Sequence, residues 1–455
     1  MRWVSSRGAS PAVPFIDALF AGTAPDGGLY MPERLDPLSP DQLAAIRVAA
    51  GDIVEIGTIV GSHLLRDEIS VTDMRALVRD ALDFPIPLVP VTDNVWSLEL
   101  FHGPTMAFKD VGARTQARLL HHFTDGTPLT ILVATSGDTG SAVAQAFHGV
   151  PDTRVVVLYP EGKVTDVQEA QMASLGDNIF AVAVHGTFDD CQRLVKQAFA
   201  DDDLRSHVWL TPANSINLGR LLPQVFYYFV LAGLGPASAF APGASADKEA
   251  GSYDGREAKR GLVVSVPSGN FGNLTAGLIA KRIGLPVERF VAATNVNDVV
   301  PEYLRTGEYK PRASVKTVAN AMDVGAPSNF ERMRAMYGES FEALRCDIAG
   351  AAFNDDTVVA EIRAVWGQHG YLLDPHGAIA WLGLREILAT EAGDSPGVFL
   401  ATAHPAKFRE VVEPAIGEAI SLPPALAEAI KRPRHSERLP VDYGVLKKLL
   451  LAQSR

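Results

Sequence analysis

Residues 130–147 read TILVATSGDTGSAVAQAF, and this stretch decides the fold class. Thr130–Ala134 is an uninterrupted apolar, β-branched run, the pattern of a strand buried on both faces. Thr135–Gly140 is a glycine-rich turn, and Gly140–Phe147 is an alanine-rich helix. The unit repeats along the chain. Val155–Tyr159 is followed by a helix over Thr165–Leu175, and Asn178–Val184 by one over Asp189–Phe199. Further on come strand Leu262–Val266 with helix Leu274–Ile283, and strand Phe290–Thr294. Helices near Thr357–His369 and Gly377–Thr390 lead to strand Val398–Leu400. Such alternation predicts an α/β fold with two open, parallel-type sheets covered by helices.

A chain of 455 residues is too long for one ordinary core. Residues 1–94 read as an N-terminal segment with amphipathic helical runs around Leu43–Val48 and Val71–Leu82, ending at Pro85, Pro87 and Pro90. Residues 95–210, opening with a strand at Trp96–Leu100, are expected to form a small α/β domain. Residues 211–455 are expected to form a large one, with 235–260, rich in Ala, Gly, Ser and charge, as a mobile surface insertion. A net charge of −12 argues against a nucleic-acid surface, so any phosphate recognised is a small ligand held locally. Met1–Pro11 has no apolar core of the secretory kind, and Val225–Leu234 is too short to span a bilayer. Cys191 and Cys346 share no motif, which points to a reducing compartment; the expected location is the cytoplasm.

Four clusters carry chemistry. Phe101–Asp110, FHGPTMAFKD, sets Lys109 among Pro104, Met106, Ala107 and Phe108, with Asp110 placed to start a helix. Desolvation there disfavours the ammonium and frees the amine as a nucleophile toward an aldehyde. Taken alone, the motif is more often an ordinary lysine at a helix start. Pro267–Asn273, PSGNFGN, lies between strand and helix, where small residues let backbone N–H groups approach a phosphate. Neither a Walker A loop nor a full GxGxxG is present, which weighs against a nucleotide. In the TSGDTG turn Asp138 would repel the more highly charged phosphate, so a carboxylate, ring hydroxyl or imine suits it better. Asn214, Ser215, Asn217 and Arg220 offer neutral donors beside a forked guanidinium suited to phosphate. In ATAHPAKF, residues 401–408, Thr402 can present a hydroxyl at a strand end.

Together these motifs resemble the threonine synthases, pyridoxal-phosphate enzymes of fold type II in the tryptophan synthase β family. The likeness is greatest to the longer bacterial and fungal branch with an added N-terminal segment. It runs from Ser6-Arg7-Gly8 and DGGLYMPE (Asp26–Glu33) through HGPTMAFKD, TSGDTG, NSINLGR and SGNFGN to ATAHPAKF, nearly the whole chain. The resemblance implies pyridoxal 5'-phosphate as cofactor, with Lys109 joined to its aldehyde and later moving protons. It implies a cofactor-phosphate cradle at Gly269, Asn270, Phe271, Gly272 and Asn273, with Thr402 at the pyridine nitrogen and Asp138 near the ring hydroxyl. Thr135, Ser136 and Thr139 would hold the substrate carboxylate, and Asn214, Ser215 and Arg220 the substrate phosphate. The implied reaction converts O-phospho-L-homoserine and water to L-threonine and phosphate, in a monomer or homodimer. A phospho-lyase releasing a keto acid shares every motif. A serine or threonine dehydratase would leave Arg220 without a phosphate, and a catalytically silent, metabolite-binding relative would have no use for Lys109.

Overall fold

The computed structural model describes residues 1–135, 137–234 and 261–452, so the expected insertion at 235–260 lies outside the described residues. Two sheets form the body. The larger runs, in order, Ile348–Ala352, Val287–Thr294, Leu262–Pro267, Gly397–Ala401, Val95–Glu99 and Leu88–Thr92. All neighbours are parallel except the last pair, which is antiparallel. The smaller runs Ser436–Leu439, Ile179–Val184, Thr153–Pro160, Leu129–Ala134 and Leu210–Thr211, parallel throughout.

Sheet membership departs from the spans read off the sequence. Val95–Glu99, expected to open the small domain, pairs with Gly397–Ala401 in the larger sheet. Ser436–Leu439, expected in the large domain, returns to the edge of the smaller one. The proline-rich stretch taken as a boundary contains the strand Leu88–Thr92. It folds back on Val95–Glu99 at the sheet edge, with Pro90 exposed, and an edge tolerates a residue lacking an N–H. Ile348–Ala352 escaped notice because its IAGAA sequence has little β-propensity.

The N-terminal segment contributes a small antiparallel pair, Trp3–Ser5 with Tyr30–Pro32, and the helices Phe15–Ala21, Pro40–Val48, Ile53–Leu64 and Val71–Ala81. It has no core of its own. Trp3, Ile56 and Val78 join the apolar cluster that holds Leu120 and Val133 of the smaller sheet's layer and Val264 of the larger. The segment also braces residues 211–220. Asn217 Nδ2 donates to Leu19 O at 2.7 Å, and Thr211 Oγ1 to Phe20 O at 3.0 Å. Arg332, only 1% exposed, is filled by oxygens: Nε donates to Tyr30 O, Nη1 to Asn329 Oδ1 and Nη2 to Ile216 O. No described helix is long and apolar enough to cross a membrane.

The loops that leave strands at Leu100, Ala134, Pro267 and Ala401 all leave carboxyl ends, where open α/β sheets hold ligands. Between them the helix Lys109–Thr124 packs on the short helix Leu218–Leu221 through Gly112, where a Cβ would stand 2.6 Å from Arg220 O. Gly112→Ala is therefore expected to force the two helices apart and cost about 1–3 kcal/mol of stability, read as a lowered urea midpoint at unchanged slope.

Candidate active site

Lys109 is held by backbone before side chains act. Leu100 N–H donates to Ala401 O at 2.9 Å, Phe108 N–H to Thr402 O at 2.9 Å, and His404 N–H to Met106 O at 3.1 Å. This short ladder, with the bridge between Ala107 and Ala403, locks the FHGPTMAFKD loop to the loop that follows Gly397–Ala401. Asp110 lies in the first turn of the helix it is expected to start. The helix begins at Lys109, and the Asp110 carboxylate turns back to accept from Thr105 Oγ1 at 2.6 Å and Thr105 N–H at 2.9 Å. Gly103 leaves room for it, since a Cβ there would lie 2.5 Å from Asp110 Oδ2.

The Lys109 side chain is 14% exposed, and its surroundings are more polar than the sequence suggests. Its Nζ lies 5.0 Å from the Phe108 ring centre and 3.9 Å from Asp138 Oδ2. Burial is the largest influence and holds the amine below the ordinary lysine range; Asp138 opposes this, while Lys407 and Arg220 reinforce it. Asp138 is itself paired with Lys407, whose Nζ stands 2.7 Å from Oδ1 and also donates to Thr105 O at 2.8 Å. Burial alone would raise the Asp138 carboxyl. Lys407 and then Lys109, with a hydrogen bond from Gln168 Nε2 at 3.1 Å, hold it well below the usual carboxylate range. Lys407 was the residue missed in sequence. It stands in the quoted ATAHPAKF motif, but a lysine there signals nothing until the fold brings Asp138 to it.

The second loop is a cradle. Ser268 N–H is taken by Ala293 O and Leu274 N–H by Asn273 Oδ1, yet none of the backbone N–H groups of 269–273 meets an acceptor among the described residues. They crowd at the start of helix Gly272–Arg282, which has no side-chain cap, so the positive helix end faces outward. Side chains shape the loop without filling it. Asn273 Nδ2 donates to Pro267 O, Asn270 Oδ1 accepts from Ser328 N–H, and Phe271 sits in the left-handed region at φ 61°. At Gly269 a Cβ would stand 2.5 Å from Ala321 O, whereas at Gly272 its nearest neighbour would be Asn329 Nδ2 at 3.4 Å. The first glycine is needed for packing, and the second leaves the cradle open.

Arg220 is 3% exposed and has no carboxylate partner among the described residues. Nη1 donates to Ala213 O at 2.7 Å, while Nε is buried without an acceptor. Burial brings the guanidinium down to about 10. Arg332, by contrast, is saturated with oxygens, so of these two buried arginines only Arg220 is poised for an anion. Asn214 Oδ1 is likewise buried and unpartnered. Asn217 is not available, because it caps the helix Leu218–Leu221. Ser215 Oγ accepts from Asn270 Nδ2 at 2.6 Å, which places Ser215 against the 269–273 cradle.

The TSGDTG turn corrects one expectation. Thr135 was read as a carboxylate ligand, but its Oγ1 donates to Gly137 O and accepts from Gly137 and Gly140 N–H. Its own N–H goes to Leu158 O, so Thr135 shapes the turn and has no donor to spare. Ser136 lies outside the described residues. Thr139 stands in the first turn of helix Asp138–Phe147, which also lacks a side-chain cap, and its hydroxyl meets no partner among the described residues. Thr402, 5% exposed, sits one residue past strand Gly397–Ala401 with its carbonyl in the ladder to Phe108.

A buried amine held below the ordinary lysine range, a row of N–H groups at a helix start with no acceptor among the described residues, and a threonine at a strand end fit pyridoxal 5'-phosphate. Known proteins agree. Residues 85–402 match the model for pyridoxal-phosphate dependent enzymes, residues 2–82 that for the threonine synthase N terminus, and residues 378–450 that for the threonine synthase C-terminal region. Threonine synthase from Escherichia coli K12 is 43% identical over 451 residues, which is 99% of each chain. The solved E. coli threonine synthase superposes with a TM-score of 0.88 at 41% identity, covering 100% of both chains. The pyridoxal-phosphate-bound threonine synthase from Brucella melitensis gives 0.89 at 36% identity, again over 100% of both. With glycine cradle, buried lysine and both terminal segments matched in one chain, it belongs to the threonine synthase family of pyridoxal-phosphate-dependent lyases.

Proposed function

We propose that this chain converts O-phospho-L-homoserine and water to L-threonine and phosphate, and that the residues described above divide the work. The observation that carries the reading is Arg220, a buried guanidinium with Nε unbonded and no carboxylate in ion-pair contact among the described residues. A dehydratase acting on an unphosphorylated amino acid would leave that Nε without an acceptor, whereas a substrate phosphate would satisfy it.

Pyridoxal phosphate, when bound, supplies an aldehyde that an amine can join and a ring that accepts the electrons left when a proton leaves the α-carbon. Lys109 would be the amine that holds it and, once released, the base that takes that proton; burial holds the amine below the ordinary lysine range, which favours that role. The N–H groups of Gly269, Asn270, Phe271, Gly272 and Asn273 would hold the phosphate that stays, and Thr402 would supply a hydroxyl to the ring nitrogen. Arg220 and Asn214 receive the phosphate that arrives, breaks from Cγ and leaves. Ser215, tied to Asn270, stands between the two phosphates. Thr139 and the adjacent N–H groups at the start of helix Asp138–Phe147 take the substrate carboxylate. One proton would leave Cβ as phosphate departs from Cγ, a proton would return at Cγ, water would add at Cβ, and a proton would return to the α-carbon. The closing unit we propose is the smaller sheet with its helices, including the returning segment Ser436–Leu439 and excluding Val95–Glu99. Two unpaired thiols, Cys191 buried and Cys346 exposed, fit a cytoplasmic setting.

One incubation with O-phospho-L-homoserine should yield threonine and phosphate in equal amounts. Keto acid in place of threonine would assign the chain to phospho-lyases instead. Lys109→Ala should abolish the imine absorbance and turnover in a folded protein, and borohydride trapping that labels another lysine would remove Lys109 from its role. Arg220→Ala should weaken substrate binding or elimination by roughly 2–4 kcal/mol, read in kcat/KM, while cofactor titration hardly changes. Gly272→Val should do the reverse and lose cofactor first.

A further inference from the structure

Lys109 and Lys407 are two buried lysines that share one carboxylate. Asp138 Oδ1 accepts from Lys407 Nζ at 2.7 Å and from Gln168 Nε2 at 3.1 Å, while Oδ2 stands 3.9 Å from Lys109 Nζ, beyond hydrogen-bond reach. Lys407 has 1% of its side chain exposed and is anchored a second time on Thr105 O at 2.8 Å. The turn Pro405–Phe408 carries it directly after Thr402, and its target begins the helix Asp138–Phe147 of the other sheet's layer. The charged groups facing Lys109 come from four elements. They are Asp138, Lys407, Arg220 of the helix Leu218–Leu221, and Asp110 of its own helix, whose carboxylate is turned to Thr105.

A buried lysine needs a counter-charge, and one carboxylate cannot serve two equally. The short contact goes to Lys407. We propose that Lys407 is a positioning residue that claims the Asp138 carboxylate, so that Lys109 stands beside it unbonded with its amine free to join an aldehyde. The arrangement does two things at once. It keeps Asp138 an anion in the cleft, and it sets a cation near Lys109 that opposes a second one. The nearby cation lowers the lysine amine, in the direction already given for Lys109, and its claim on Asp138 offsets the raising pull of that carboxylate. Removing Lys407 would hand Asp138 to Lys109 as an ion pair. Removing the carboxylate instead would leave two cations facing each other.

This inference rests on Lys109 being the cofactor-joining amine, and one experiment separates the two. The full-length chain is stripped of cofactor, and the rate of imine formation with added pyridoxal phosphate is followed by absorbance across pH. In the parent chain the midpoint reports the Lys109 amine, and Lys109→Ala should form no imine; imine in that variant overturns the assignment of Lys109 itself. Lys407→Met should move the midpoint up by at least about one pH unit, making capture at neutral pH about tenfold slower. Lys407→Arg should restore most of the rate. Asp138→Asn should move the midpoint down, and it carries the test if Lys407→Met does not fold. A bridge that only holds the fold together would lower the melting temperature of both variants and leave both midpoints in place. Unchanged midpoints, or shifts of the same sign in the two variants, would overturn the role of Lys407.

Discussion

Burying positive charge without enough negative charge is the constraint on which this molecule's site depends. Lys109, Lys407 and Arg220 converge on one cleft, and Asp138 is the carboxylate aimed at them, Asp110 being turned toward Thr105. A protein interior does not tolerate such an excess unless something compensates it. Part of the answer lies within the protein, where Lys407 pairs with Asp138. The rest is left to ligands. Arg220 keeps an unbonded Nε, and the N–H groups of the 269–273 loop meet no acceptor among the described residues, which leaves both places suited to an anion.

The scaffold explains how these groups are held without filling one another's hydrogen bonds. Each loop leaves the carboxyl end of a parallel strand, and the strands belong to two different sheets. The backbone ladder between Leu100–Phe108 and Ala401–His404, with Asp110 and Lys407 anchored on Thr105, fixes the lysine loop without using the Lys109 side chain. Thr135 and Asn217 spend their polar atoms on shaping turns, and Arg332 and the N-terminal segment brace the 211–220 loop from behind. Thr135 and Asn217 thereby differ from Thr139 and Asn214, whose side chains keep polar atoms without a partner among the described residues.

Local pattern determined much on its own. The strand–turn–helix units, the glycines of PSGNFGN and TSGDTG, and Lys109 at a helix start are properties of neighbouring residues, so they were legible in the order of the chain. Element ends were read within a few residues for the same reason: the Gly272–Arg282 and Asp138–Phe147 helices begin where glycine permits the turn. Only the tertiary structure decided which strands are neighbours, why Leu88–Thr92 can be a strand despite Pro90, and that Ser436–Leu439 returns to the smaller sheet. It also decided which polar atoms are consumed and which are left over. Lys407 meets Asp138, Arg220 meets no carboxylate among the described residues, and Thr135 turns inward, because an ion pair or an orphaned donor depends on what a distant part of the chain places within a few ångströms.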